Sequence, residues 1–317
     1  MLASYGHGHE DLRVAQRQVL FRSPVLATPY ANGNLDVAAL RALLPQLWSE
    51  APVSLDQADT RLAVLTGPAA EQPGEVRRAL AESGFESVAA GPHLAAALAA
   101  YGADAVARSL DPHGEPRTII NLDIGATMSR LALCRGGEIL QTATIRIGPR
   151  LLTLDATGKL MHFEPVLGAV AEAAGVALEE GVEPSGSDLK TLADELAESL
   201  LNLIERRPLE PLARHLLVGA SLDLPDRPNG ASFSGGAAAH LYGSQPDLGL
   251  DLGPALGRAI HQRLNRLGFG VQEPEHLLTA TIIGSAQYRL EDVHAAPILT
   301  EPAAFAAAQE LDAKIKV

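Results

Sequence analysis

Asn121-Leu122-Asp123-Ile124-Gly125-Ala126-Thr127-Met128 is the stretch that decides how this chain folds. Its first half continues a run of β-branched and aliphatic residues from Thr118, the composition of a buried strand, and its second half is small enough for a tight bend. Ser129 to Cys134 predicts a second strand, Gly136-Gly137 a turn, and Ile139 to Ile147 a third strand. A bend with so little side-chain bulk can present consecutive backbone N–H groups to an anion. The carboxylate of Asp123, at the end of its strand, is of the type that binds Mg²⁺ directly or through water. Asp123, Gly125, Ala126 and Thr127 are therefore candidate phosphate contacts, and Asp123 is also the candidate metal ligand. The competing reading is a plain hairpin in which Asp123 caps the turn and Gly125 supplies a positive φ.

Upstream, Val19 to Tyr30 predicts a strand running into a turn at Pro29 and Asn32-Gly33, followed by a helix with Val37, Leu40, Leu44 and Leu47 at helical spacing. Leu62 to Leu65, a helix around Val76 and Leu80, and a strand at Phe85 to Val88 make a strand-helix-strand unit. An alanine-rich helix follows the turn Ala90-Gly91-Pro92-His93, and Asp111 to Glu115 forms a polar loop. Downstream, Leu151 to Leu154 and Leu160 to Phe163 form another hairpin. A composition shift near Pro165 then leads into helices, the longest carrying Leu189, Leu192, Leu196, Leu200 and Leu203 behind the cap candidates Ser187 and Asp188. Two short strands interrupt them, Ala231 to Phe233 ending in Ser234-Gly235-Gly236, and Thr279 to Ile283 ending in Gly284-Ser285. Small residues where a strand hands over to a helix let a ligand approach the backbone. Ser234, Gly235, Gly236 and Gly284 join the candidate contacts on that ground. The expected organisation is a frayed segment over residues 1–18, an N-terminal lobe over 19–117 and a C-terminal lobe over 118–317.

The bulk numbers restrict the function classes. At 317 residues the chain is two domains' worth at about 150 residues each, and 47% apolar residues against 20% charged is a globular balance. The net charge of −13 opposes nucleic-acid phosphates and anionic lipid, and no basic cluster offsets it. Cys134 is the single cysteine, which excludes an internal disulfide and a cysteine-rich metal cluster. No apolar run approaches the ~20 residues that span a bilayer, and the first residues, with Glu10 and Asp11, lack the apolar core of a signal peptide. The expectation is a cytoplasmic protein. His7-Gly-His9 lacks a third ligand, Cys134 reads as a buried small residue, and Glu205-Arg206-Arg207 as a solvated helix end.

The order of these features, a phosphate hairpin, then helices, then a strand ending Ser-Gly-Gly at a helix start, is that of actin-like ATPases. The chain from Val19 to Tyr288 also resembles the reactivating factors of ethanolamine ammonia-lyase, the ethanolamine utilization EutA family. The resemblance is carried by F-R-S-P-V-L-A-T-P (Phe21 to Pro29), V-L-T-G (Val64 to Gly67), A-G-P-H-L (Ala90 to Leu94), N-L-D-I-G (Asn121 to Gly125), G-P-R-L-L (Gly148 to Leu152), S-G-G (Ser234 to Gly236) and A-T-I-I-G (Ala280 to Gly284). It implies an α/β, actin-like ATPase (ribonuclease H-like) fold with two lobes of mixed sheet flanked by helices. It further implies ATP or ADP with Mg²⁺, ethanolamine ammonia-lyase as protein partner, and a chaperone-like role in which damaged cobalamin is released so that adenosylcobalamin can enter. A homo-oligomer and association with a microcompartment are compatible with it. Two departures bear on hydrolysis. The chain starts too late to include the family's first phosphate hairpin, of D-I-G-T-T-T type, and where the family has D-I-G-G-G-T this chain has D-I-G-A-T-M, so that the hydroxyl position falls on Met128. At most weak ATPase activity is expected. Two alternatives stand beside the reactivating factor: a nucleotide-free scaffold of the same fold, and a small-molecule kinase, for which no convincing catalytic aspartate is found.

Overall fold

A computed structural model of the chain describes residues 2–7, 12–24, 26, 29–31, 34–58, 61–71, 74–110, 115–205, 208–224, 227–243 and 250–295. His9, most of the Asp111 to Glu115 loop, Arg206, Arg207 and the Asn32-Gly33 turn lie outside the described residues. The chain divides into two compact units, one running up to Ala95 and resuming at Ser285, the other Ala96–Gly284.

In the first unit, β1 (Leu2–His7) and β2 (Leu12–Gln18) pair antiparallel, which corrects the expectation of a frayed segment. Ladder pairing satisfies backbone donors and acceptors whatever the side-chain periodicity, so a strand pair without alternation leaves little trace in sequence. The strand expected from Val19 is absent: residues 19–24 are irregular, and Pro24 could not donate to a ladder. The short strands β3 (Tyr30–Ala31) and β4 (Asn34–Leu35) lead into α1 (Val37–Trp48), whose first turn is capped by Asp36 accepting from the N–H of Ala39 at 2.9 Å. The expected strand-helix-strand unit is present: β5 (Leu62–Leu65), α2 (Pro68–Glu71), α3 (Gly74–Glu82) and β6 (Glu86–Ala89), with β5 and β6 parallel. Its core is Leu65, Val76, Leu80 and Phe85, with Leu40, Leu44 and Trp48 packed against it.

The second unit is built on a larger sheet. α4 (Pro92–Gly102) and α5 (Ala105–Arg108) precede β7 (Thr118–Ile124), β8 (Ser129–Arg135) and β9 (Glu138–Ile145), an antiparallel meander as expected. The hairpin of β10 (Leu152–Leu154) and β11 (Leu160–Phe163) leads to α6 (Pro165–Ala174), α7 (Gly186–Asn202) and α8 (Pro211–Leu216). The cap of α7 is Ser185, not Ser187 or Asp188. Ser185 Oγ accepts from the N–H of Asp188 at 3.0 Å while Asp188 Oδ2 accepts from the N–H of Ser185, a reciprocal capping box. Then come β12 (Leu217–Val218), β13 (Gly230–Ser234), α9 (Ala238–Leu241), α10 (Gly253–Leu267), β14 (Gly270–Gln272) and the start of α11 (Ala280–Ala295), which runs past the boundary at Ser285. The strand order is β12-β9-β8-β7-β13-β14, with β13 parallel to both β7 and β14.

The strand expected at Thr279 to Ile283 is instead the start of α11, preceded by a single 3₁₀ turn at Leu277–Thr279. The buried side chains there are Leu277, Ala280 and Ile283, three apart, while Ile282 is exposed; that is a helix's period, and a short apolar run does not declare its period on its own. A Cβ on Gly284 would lie 1.7 Å from the carbonyl oxygen of Leu98 in α4, and one on Gly102 would lie 1.8 Å from that of Ala280. Reciprocal glycines therefore let α4 and α11 cross backbone to backbone.

Candidate functional site

Strand period two puts Ile120, Leu122 and Ile124 on one face of β7 and Ile119, Asn121 and Asp123 on the other. The first face joins Leu131, Leu133, Ile145, Ala231 and Phe233 in the main core. On the second, Ile119, Ala132 and Cys134 pack with Ala96, Ala100 and Val106. Burial pushes the Cys134 thiol up to about 12, in keeping with a small packing residue and no nucleophile. Further along this face the side chains become polar. Register places Thr144 opposite Arg130, Arg130 opposite Asp123, and Asp123 beside Ser234, one transverse row of polar residues across four strands.

The row is hydrogen-bonded in a definite direction. Ser232 Oγ donates to Asn121 Oδ1 at 2.9 Å, Asn121 Nδ2 donates to Ser234 Oγ at 3.2 Å, and Ser234 Oγ donates to Asp123 Oδ1 at 3.0 Å. The other carboxylate oxygen lies 3.8 Å from an Arg130 guanidinium nitrogen, with the two side chains only 12% and 9% exposed. Burial raises the Asp123 carboxyl above the ordinary carboxylate range, and the Arg130 charge and the Ser234 hydroxyl act against it.

The bend beyond Asp123 is closed by the Gly125 N–H donating to the Met128 carbonyl at 3.0 Å. Gly125 has no positive φ, contrary to the plain-hairpin reading; its missing Cβ makes room for that carbonyl, which a Cβ would approach to 2.8 Å. The back of the bend rests on the G-P-R-L-L string. Arg150 N–H donates to the Ala126 carbonyl at 2.7 Å, and a Cβ on Gly148 would come within 2.3 Å of the same oxygen. Gly235, at φ +88°, is pressed against the end of β7, where a Cβ would meet the Ile124 carbonyl oxygen at 2.5 Å, and its N–H donates to Leu277. A Cβ on Gly236 would meet nothing within 4 Å. The N–H groups of Ala126, Thr127 and Gly236 donate to no protein acceptor among the described residues.

Seven of the eight expected contacts thus gather at the end of β7 and β13, the edge of a parallel strand pair where ligands of α/β sheets bind. The eighth, Gly284, lies within α11 at the α4 crossing. Thr127 and Met128 also line a cavity of about 310 Å³ with Arg146, Leu151 and Glu164. Asn121, Arg130, Thr144, Ser232 and Gly148 are not among the contacts expected from sequence, where Asn121 and Gly148 enter only within longer strings. The first four occupy the positions that strand alternation and register give to Asp123's own face, so an aligned reading of the hairpin would have found Arg130.

A directly ligated Mg²⁺ does not fit Asp123. One of its oxygens accepts the Ser234 hydroxyl and the other faces the Arg130 guanidinium at 3.8 Å, so both are turned toward donors of this chain.

A three-strand antiparallel meander, continued on the side of its first strand by two parallel strands, is the ribonuclease H-like sheet of actin-like ATPases, and here it carries its candidate ligand turns at the ends of the first and fourth of these strands. Within that class the chain belongs to the ethanolamine utilisation protein EutA family, whose model matches residues 9–303. It is 29% identical over 290 residues to the ethanolamine ammonia-lyase reactivase EutA of Salmonella typhimurium, covering 87% of this chain and 60% of that protein. It is also 29% identical over 286 residues to the Escherichia coli protein of the same name, again over 87% and 60%. The chain therefore spans about 60% of the length of these curated relatives. A solved structure of MreB5 from Spiroplasma citri bound to AMPPNP matches 90% of this chain and 81% of its own, at 16% identity and a TM-score of 0.43.

Proposed function

We propose that the chain acts in reactivating adenosylcobalamin-dependent ethanolamine ammonia-lyase, engaging the inactivated enzyme and promoting nucleotide-dependent exchange of its damaged cobalamin. ATP or ADP is held by Ala126 and Thr127 of the hairpin and by the turn Ser234-Gly235-Gly236. The observation that carries the reading is the meeting of these two turns at one end of the sheet, with the N–H groups of Ala126, Thr127 and Gly236 unclaimed by protein acceptors, in a chain of the EutA family. Neutral donors from a bend and a turn suit an anion. The role is that of a binding and release factor with at most slow hydrolysis, in keeping with Met128 at the position where a hydroxyl is expected. A cytoplasmic setting agrees with the absence, among the described residues, of any helix long and apolar enough to cross a membrane.

The test is restoration of turnover. Lyase inactivated with a cobalamin lacking its adenosyl group is incubated with the chain, ATP and fresh adenosylcobalamin, and deamination is followed. Recovery that needs both the chain and ATP is expected; no recovery, together with no binding to the lyase, refutes the role.

A second reading, the nucleotide-free scaffold, is favoured by one observation: Asp123 is held on both sides by Ser234 and Arg130. Calorimetry with ATP and ADP separates the two, since micromolar binding corresponds to about −8 kcal/mol. A kinase would need a carboxylate free to accept a substrate proton, and Asp123 is already engaged.

A further inference from the structure

The misfit between Asp123 and a metal ion comes from a charge already in place. Mg²⁺ keeps several water ligands, which need room and polar surroundings. At Asp123 the neighbouring position on the opposite strand is filled by a guanidinium that cannot lose its proton. A guanidinium has five donors, and a carboxylate takes at most two of them. Arg130 Nε is buried without a hydrogen-bond partner among the described residues, and so is Oγ1 of its cross-strand neighbour Thr144. Buried donors are ordinarily satisfied by protein, water or ligand. Two unsatisfied groups side by side in a row that ends at the hairpin are the kind that an anionic oxygen completes.

We propose that Arg130 occupies at Asp123 the place of a divalent cation, so that phosphate binds at this end of the sheet against a built-in guanidinium and with no metal ion on Asp123. Asp123, held by the Ser234 hydroxyl, then serves as a positioning residue for the guanidinium 3.8 Å away, and Thr144 is the cross-strand neighbour of Arg130 on its other side. The choice of nucleotide phosphate as ligand rests on the function proposed above; the exclusion of metal from Asp123 does not.

Two arms on the full chain test this. In the first, Mn²⁺ alone is titrated into the wild-type protein and followed by electron paramagnetic resonance. No site that Asp123→Asn removes is expected, and about one equivalent of bound Mn²⁺ that is lost in Asp123→Asn overturns the proposal. Arg130→Met, which uncovers the carboxylate, is expected to gain such a site. In the second arm, ADP is titrated by calorimetry in excess Mg²⁺ and in excess EDTA. Affinities within about threefold of each other are expected, and a larger Mg²⁺-dependent tightening that Asp123→Asn abolishes overturns it. Should ADP and ATP bind under neither condition, the nucleotide reading fails while the Mn²⁺ arm still decides the metal question.

Discussion

The two faces of the six-stranded sheet carry the same strands and do different work. The face with Ile120, Leu122, Ile124, Leu131 and Phe233 is apolar and buried through its middle and carries polar residues toward the strand ends, Thr118 opposite Arg135 and Ser129 opposite Ile124. The opposite face is apolar near the start of β7, at Ile119, and polar at its end, at Asn121 and Asp123, yet it is buried almost as deeply. Burying a polar row has a cost unless each group finds a partner. The first face therefore carries the main hydrophobic core of this unit, and the mixed face keeps a charged, hydrogen-bonded row at the end of β7.

Substitutions on the two faces should separate stability from binding. The largest loss of stability is expected from Phe233→Ala on the apolar face, about 3–5 kcal/mol by urea unfolding, because the side chain is fully buried among large neighbours. A smaller loss of about 1–3 kcal/mol is expected for Gly235→Ala, where a positive φ and the Ile124 carbonyl both oppose a Cβ. Wild-type stability in Phe233→Ala would break the contrast between the faces.

The polar row should make stability depend on pH. Burial raises the Asp123 carboxyl in the folded state, so the folded chain holds its proton to higher pH than the unfolded chain does. Between the ordinary carboxylate value and the raised one the native state binds more protons, and stability falls as pH rises, by no more than about 1.4 kcal/mol per pH unit for one group. Unfolding measured from pH 4 upward should show this decline in wild type and lose its Asp123 component in Asp123→Asn; identical slopes in the two proteins would refute it. The smallest stability effect is expected at Gly236→Ala, under about 0.5 kcal/mol, since nothing lies near the added methyl group. If the turn holds nucleotide as proposed, calorimetry with ADP should nonetheless show weaker binding in that variant, because the methyl group sits beside the Gly236 N–H.

How legible each part was depended on how local its cause is. The hairpin at Asp123, the strand-helix-strand unit at Leu62 to Ala89 and the leucine-lined helix behind Ser185 are set by neighbours in sequence, and they were read from strand composition, small bends and helical spacing. The family resemblance anticipated the fold. The sheet's order could not be read directly, because it joins Asp123 to Ser234, 111 residues away. Arg130 was missed for a related reason: its meaning appears only when β8 is laid against β7. Gly284 was misassigned because A-T-I-I-G suits a strand as well as a helix until Ala280 and Ile283 are seen to share a side. The pairing of β1 with β2 was missed because backbone bonding there has no matching side-chain alternation.

The chain of bonds from Ser232 to Asp123 behaves as a one-way circuit. Ser234 has a single proton, and giving it to Asp123 leaves its lone pairs facing Asn121, so that amide must turn its NH₂ toward Ser234 and its oxygen toward Ser232. An amide cannot reverse that polarity without rotating in a buried site. The row consequently has capacity for one negative charge and no second: an aspartate at position 121, nearly identical in shape, would leave two carboxylates competing for one hydroxyl proton. Among side chains so close in size, the sign of each hydrogen bond, more than the volume of any residue, is what selects asparagine there.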